Sequence, residues 1–505
     1  MTNKNLLHAM GRIDPELIAD AAPDILQKAD DDPPVGKVRK PWIKYAAAAA
    51  ACLAAVAGFG VGYKMIKPNP SSVLNIAAKK KMLLAAAIYP EMPKYPDESA
   101  YVFADNNDYE AFSEIYEKWR SARRALSDQP DGYRDGFDVF FSKSASVFLS
   151  DAETKNMIYS PLSLYMALGM SAEITDGDTR RQILDALAQD DIDTLRSHSK
   201  SIWQANYLDD GMAKCVFATS LWTNNSIIYN KNTVHTLADN YYSSVFTGDP
   251  GSEEYNRLLR DWINEQTDGL LSDYVSGIEM TPETVLALAS TVNYSGKWHS
   301  KFLKANNSQA AFHTPDGDVQ CEFMNDGRDT IYYWGEKFSS VALDLEGNGQ
   351  MRFILPDEGV TAEELLNDEE TLGFMNMVSY FGDYPNSKYV KVNISVPKFD
   401  VSSEIDLEDG LKELGITDIF DPAKSDFTPL TDDADIIRLS KAEQAARVVI
   451  DEEGCKAAAF TVMLSAGALP PTEEVDFVLD KPFIFEIMSE TDLPLFVGIV
   501  NNPVQ

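Results

Sequence analysis

The stretch from Asp451 to Ala468 constrains this chain more than any other. It opens on Asp451-Glu452-Glu453-Gly454 and continues Cys455-Lys456-Ala457-Ala458-Ala459-Phe460-Thr461-Val462-Met463-Leu464-Ser465-Ala466-Gly467-Ala468, with a single charge after the glycine. Laid out as a strand, its side chains alternate between two faces. Positions 455, 457, 459, 461, 463, 465 and 467 are Cys, Ala, Ala, Thr, Met, Ser and Gly, all uncharged and most of them small. Lys456 falls on the other face with Ala458, Phe460 and Val462. One face can therefore enter a protein core with little desolvation, whereas the opposite register would bury the ammonium at a cost of roughly several kcal/mol. A helix is opposed by Gly454, Gly467 and the pair Pro470-Pro471, and an idle surface loop has no use for a charge-free face.

Upstream, Ser160-Pro161-Leu162-Ser163 joins a capping residue to a first-turn proline and an apolar run, a helix start. Phe217–Trp222 reads as a buried strand, and Asp261–Leu270 as a helix closing at Gly269. Val285–Trp298 reads as a long strand. Val341–Leu345 and Met351–Pro356 read as a pair around Gly347-Asn348-Gly349, and Val392–Phe399 alternates strictly. Leu411–Ile416 closes a helix leading to Phe420.

In this order, these segments resemble the serpin family over residues 133–505. The strongest matches are Ser160-Pro161-x-Ser163, Trp262 in its Thr267-x-Gly269 helix, Lys297-Trp298, the 451–468 stretch, Lys481-Pro482-Phe483, and the closing Leu493–Pro503 block. The resemblance implies an α+β serpin fold: a large central, mostly antiparallel sheet, two further sheets, eight or nine helices and an exposed reactive loop. It implies an irreversible suicide-substrate inhibitor of serine proteases, a monomer and not an enzyme, whose cleaved loop inserts into the central sheet. The hinge would be Glu453, Gly454, Cys455, Lys456, Ala457, Ala458 and Ala459. The reactive bond would be Ala468–Leu469, with Ala466 and Met463 as alternatives. Trp298, Ser160, Ser163, Ser290 and Gln444 would mark where the sheet parts. Gln444 and Ser290 stand where the family commonly has histidine and asparagine, and they retain the donors and acceptors to pair with each other. Cys455 stands where a threonine or serine is usual. Small, uncharged residues near the reactive bond suit elastase-like or subtilisin-like proteases and exclude trypsin-like ones, which need Lys or Arg. The alternative is a non-inhibitory serpin fold used as a binding or adhesion module on the cell surface.

The N-terminal part reads differently. Tyr45–Tyr63 is uncharged, Ala-rich and bounded by aromatics, the pattern of a single transmembrane helix through a lipid bilayer. A signal peptide with a long leader and a buried soluble helix compete with that reading. The expected organisation is a cytoplasmic head at 1–44, the span at 45–63, a Pro- and Lys-rich stalk inside 64–132 with a short amphipathic helix near 107–127 whose apolar face docks on the domain that follows or binds a partner, and the serpin domain at 133–505, extracellular, as in bacterial surface proteins. An inverted topology would instead place the domain in the cytoplasm. The formal charge of −35, from 44 basic and 79 acidic residues, argues against nucleic acid as a partner. Cys52, Cys215, Cys321 and Cys455 form no CxxC pair, so neither a zinc site nor a disulfide framework is expected. His8, His198, His235, His299 and His313 fall in no HExxH motif, and no GxSxG occurs. No cofactor or metal is expected.

Overall fold

The computed structural model describes residues 79–96, 101, 106–150, 152, 154–377, 384–432, 437–440, 442–455 and 471–505. All of them belong to one compact unit. The head, residues 45–63 and most of the reactive loop lie outside the described residues, and among those described no helix is long and apolar enough to cross a membrane.

Two sheets organise the unit. The first runs in the order β1 (Leu83–Ala85), β5 (Ser243–Gly248), β4 (Lys214–Asn224), β6 (Leu286–Lys297), β14 (Gly454–Cys455), β13 (Glu443–Asp451) and β12 (Phe399–Asp406), with β3 (Leu208–Asp209) paired to β4. Only β4 and β5 are parallel in it. The second runs β15 (Glu474–Val478), β11 (Ser387–Pro397), β8 (Gly317–Trp334), β9 (Phe338–Asp344), β10 (Gln350–Pro356), β16 (Phe483–Met488), β17 (Pro494–Val500) and β2 (Met157–Tyr159), with β7 (Ser308–Thr314) on β8. The two smaller sheets expected beside the central one are thus a single hydrogen-bonded path. The 18-residue β8 is long enough to pair with β7 and β11 and then, at Tyr332–Trp334, with β9.

The apolar C-terminal block explains the centre of the core: every residue of β16 and β17 is buried. Against it lies the helix Pro161–Glu173, apolar all round as a fully enclosed helix must be. Ser160 caps it, its hydroxyl accepting the Ser163 N–H at 3.2 Å, with Pro161 in the first turn. A second apolar cluster lies on the opposite face of the first sheet. There the helix Glu253–Gln266 crosses, its Trp262 meeting Trp222, which in turn stacks on Phe246. Eleven α-helices fall wholly within the described residues, more than the eight or nine expected, because several are a single turn long.

Of the expected stalk, 64–132, residues 79–96, 101 and 106–132 are described, and they lie against the fold rather than standing off it. Leu83–Ala85 pairs with β5 as the outermost strand of the first sheet. Tyr89 packs on Trp203, with ring centroids 5.1 Å apart, and Tyr95 meets Trp119 edge-on at 4.9 Å. The amphipathic helix is Asn106–Ser127, and its Trp119 Nε1 donates to Asp210 at 3.0 Å. Prolines 90, 93 and 96 hold this segment extended. Tyr89 and Tyr95 then fasten it down, and neither belongs to a helical or strand period, unlike the rings of the helix Asn106–Ser127.

Candidate functional site: an open slot in the first sheet

β6 and β13 lie side by side, but among the described residues only the two-residue β14 joins them. Gly454 and Cys455 pair with Lys297 and Gly296 on one side and with Asp451 and Ile450 on the other. Below β14, among the described residues, the ladder of β6 faces only β4, and that of β13 faces only β12. Among the described residues, two strand edges therefore oppose each other with their inner N–H and C=O groups outside any ladder, the condition under which a strand can add.

The upper end of the slot is closed by the turn Asp451–Gly454. Trp298 is almost fully buried there. Its Nε1 donates to the Asp451 carbonyl at 2.8 Å, and its backbone N–H donates to the Glu453 carbonyl at 3.1 Å. Phe302 N–H donates to the Glu452 carbonyl at 3.2 Å. Lys301 pairs with Glu453. Glu452 is buried and accepts from Asn307 Nδ2 at 2.6 Å and Lys398 Nζ at 3.2 Å. Burial opposes ionisation of that carboxyl. Its own backbone N–H, Asn307 and Lys398 outweigh the burial and hold its pKa below the usual glutamate value. A depressed carboxyl contributes stability above its unfolded pKa, near 4.5, and loses it as pH falls through the folded value. Wild-type protein should therefore lose stability between about pH 5 and pH 3 that Glu452→Gln does not lose. Parallel acid titrations of thermal stability check this, and superimposable curves would refute it.

Gly454 has φ +133°, and a Cβ there would sit 2.6 Å from Lys297 Cα and 2.7 Å from both Gly296 O and Trp298 N. These are backbone atoms that cannot yield, so only glycine fits. Gly454→Ala should expel β14 from the slot at a cost of roughly 1–3 kcal/mol. Amide exchange would then rise at Gly296 and Lys297, and unchanged protection there would count against the role assigned to this turn.

Lower down, the start of the helix Pro161–Glu173 reaches both lips of the slot. From the β13 side, Gln444 makes a two-point contact with Ser160: Oε1 accepts its N–H at 2.7 Å, and Nε2 donates to its carbonyl at 3.0 Å. From the β6 side, Ser290 Oγ lies 2.6 Å from Ser163 Oγ and donates to the Ser163 carbonyl at 3.2 Å. Gln444 and Ser290 thus do not pair with each other as expected. The Ser160 N–H has no partner within the helix and can take one, its carbonyl accepts Gln444 beside the Leu164 N–H, and the two side chains bind that start separately, one on each side. A cavity between the lips is lined by Leu164, Leu168, Leu288, Leu407, Leu411 and Leu439.

Trp298, Ser160, Ser163, Ser290, Gln444, Glu453 and Gly454 therefore gather around one slot, with the Cys455 backbone in β14. Lys456, Ala457, Ala458, Ala459, Met463, Ala466, Ala468 and Leu469 lie outside the described residues. Sequence reasoning missed Asn307, Lys301 and Lys398. Their partners in the turn are 145, 152 and 54 residues away, so no local pattern marks them.

Comparison with known proteins agrees with this architecture. Residues 140–503 match the family model described as Serpin (serine protease inhibitor). An alpha-1-antitrypsin-like protein of Ictidomys tridecemlineatus is 31% identical over 369 residues, covering 71% of this chain and 85% of that one. Rattus norvegicus alpha-1-antiproteinase is 31% identical over 367 residues, covering 70% and 85%. Among solved structures, the thermophilic serpin tengpin in its native state superposes with a TM-score of 0.65 at 25% identity, over 74% of this chain and 95% of that one. With its slot, its hinge turn and a match over most of its length, the chain belongs to the serpin family of serine protease inhibitors.

Proposed function

We propose that this serpin is an irreversible, suicide-substrate inhibitor of elastase-like or subtilisin-like serine proteases. The observation that carries the reading is the register of β14. Continued into the slot, it sets Lys456 opposite Ser295 and Val449, Ala457 opposite Tyr294 and Val448, Ala459 opposite Val292 and Ala446, and Thr461 opposite Ser290 and Gln444. Val448, Ala446 and Gln444 are the buried positions of β13, which alternates buried and half-buried. Directly opposite residues share a face, so Ala457, Ala459 and Thr461 would point inward and Lys456 outward. The charge-free face found in the sequence is thus the face this slot would accept.

In the proposed reaction the protease serine attacks the Ala468 carbonyl and forms an ester, while the Leu469 amine leaves. The freed loop enters the slot and carries the acylated protease with it, away from the geometry that deacylation needs. We further propose that residues 45–63 anchor the chain in a bacterial membrane, with 1–44 inside and the serpin domain outside. The composition of 45–63 and the basic residues before it support this.

The test is to mix the detergent-solubilised full chain with pancreatic elastase or a subtilisin and boil it in SDS. A band at the summed mass, with mass spectrometry placing the cut at Ala468, is the expected result. Clean cleavage that leaves active protease behind would exclude trapping of these enzymes and favour a binding module.

A further inference from the structure

Residues 79–139 lie before the family match, yet those of them that the structure describes are built into the fold. They end on one unusual contact. Arg123, in the last turns of the helix Asn106–Ser127, is nearly buried, with its side chain about 10% exposed. One guanidinium nitrogen donates to the Tyr207 carbonyl at 3.4 Å, and another pairs with the Glu490 carboxylate. Glu490 also accepts from Asn348 Nδ2 at 3.1 Å.

These two acceptors belong to different halves of the molecule. Tyr207 ends the helix Ile192–Asn206 and leads through β3 into β4, so it moves with the strands β1, β5, β4 and β6 on one side of the slot. Glu490 sits in the turn between β16 and β17 of the second sheet. The strands on the other side of the slot, β13 and β12, are tied to that second sheet through β2. Ser403 Oγ bonds the Ile158 N–H at 3.1 Å and also the Ile158 carbonyl, and Gln444 holds Ser160. The Tyr207 side is also joined to the second sheet by Asn206 Oδ1, which accepts from Thr491 Oγ1 at 2.7 Å, and by the Lys297 carbonyl, which accepts the Glu346 N–H at 2.8 Å, so Arg123 is the extension's own tie in a junction that resists parting of the two sides. The rest of the extension follows the Tyr207 side, through β1 on β5 and Trp119 on Asp210. The small cavity around Arg123 is also walled by Cys215 of β4, Tyr294 of β6, Glu346 and Gly349, directly beneath the slot's upper end.

We propose that Arg123 is a staple across the two halves of the fold, by which the extension sets how readily the slot opens. The inference rests on the slot opening as described under Proposed function, but its test needs no protease. Amide exchange is followed by mass spectrometry on the uncleaved full chain in detergent, for wild type, Arg123→Met, Glu490→Gln and the double variant. The staple predicts that Arg123→Met speeds exchange roughly tenfold in peptides covering 286–297 and 443–451. Peptides covering 350–356 and 483–488 should stay at wild-type rates. Glu490→Gln should do the same, and the double variant should add little to either single one, because all three break one contact. Equal acceleration in all four peptides would mean a general loosening and would overturn the proposal, as would unchanged exchange at 286–297. Failure to trap protease, with the exchange pattern intact, would instead sink the inhibitory reading alone.

Discussion

Arg352→Met should destabilise the protein by about 3–5 kcal/mol at pH 8, because it leaves a buried carboxylate without its counter-charge. Arg352 and Glu486 have side-chain exposures of 1% and 0%, and their closest nitrogen and oxygen are 3.1 Å apart. The same guanidinium donates to the carbonyls of Phe374, Met375 and Met377 at 3.2–3.3 Å and so closes the end of the helix Glu369–Met375. Its planar fork serves all four acceptors at once, which neither methionine nor lysine can do. Burial pushes the Glu486 carboxyl up to about 7, with Arg352 pulling the other way. A carboxyl raised in the fold contributes stability below its unfolded pKa and loses it as pH rises through the folded value. The variant should therefore be most damaged at pH 8. At pH 5 the carboxyl is protonated and the gap to wild type narrows. Thermal unfolding at both pH values checks this, with a fall in Tm of roughly 4 °C expected at pH 8. Arg352→Met with Glu486→Leu should recover most of the loss, since an apolar pair can replace a buried ion pair. A single-variant cost under about 1 kcal/mol at pH 8, or a gap that widens at pH 5, would show that the pair does not act in this way.

That pair also shows what a sequence can and cannot reveal. Met351-Arg352-Phe353-Ile354 and Phe485-Glu486-Ile487-Met488 each carry one charge inside an apolar strand, of opposite sign, and that signal is present in the residues. Their partnership is not, because 134 positions separate them. The slot was legible to the extent that its parts are local. The Ser160 cap, the glycine in the hinge turn and the uncharged face of 455–467 each follow from neighbouring residues. The contacts between parts were not legible. Gln444 and Ser290 have the right atoms to bond each other, but the helix start between them offers each a nearer partner. The extension was read as a stalk because three paired residues and a few scattered rings carry no period. Its docking is decided by the shape of a surface formed by Trp203, Tyr207 and Tyr242, far away in sequence.

The same parity that orients the proposed inserted strand yields a paired experiment on adjacent residues. Ala459→Asp should abolish the covalent complex, while Ala458→Asp should largely preserve it. Position 459 would face inward between Val292 and Ala446, where a carboxylate has no partner. Position 458 would face the opposite side of the sheet, beside the half-buried Arg447, which already pairs with Asp400 at 2.6 Å, and beside Asn293, which is buried and donates to Asp268 at 2.8 Å. Burying an unpaired carboxylate costs roughly several kcal/mol. Insertion competes with deacylation, so about 3 kcal/mol added to its barrier shifts the outcome from trapping to turnover by roughly 100-fold. Both variants should be cleaved at the wild-type rate, because neither position touches the proposed Ala468–Leu469 bond. They should differ only once the loop is cut. Ala459→Asp should release active protease and show no rise in Tm after cleavage. Ala458→Asp should give the SDS-resistant band and a heat-stable cleaved form. Equal loss in the two would mean that added charge alone disturbs the loop. Equal retention would mean that the loop does not enter the slot. Only a strand that inserts in the register β14 begins gives opposite outcomes at neighbouring residues.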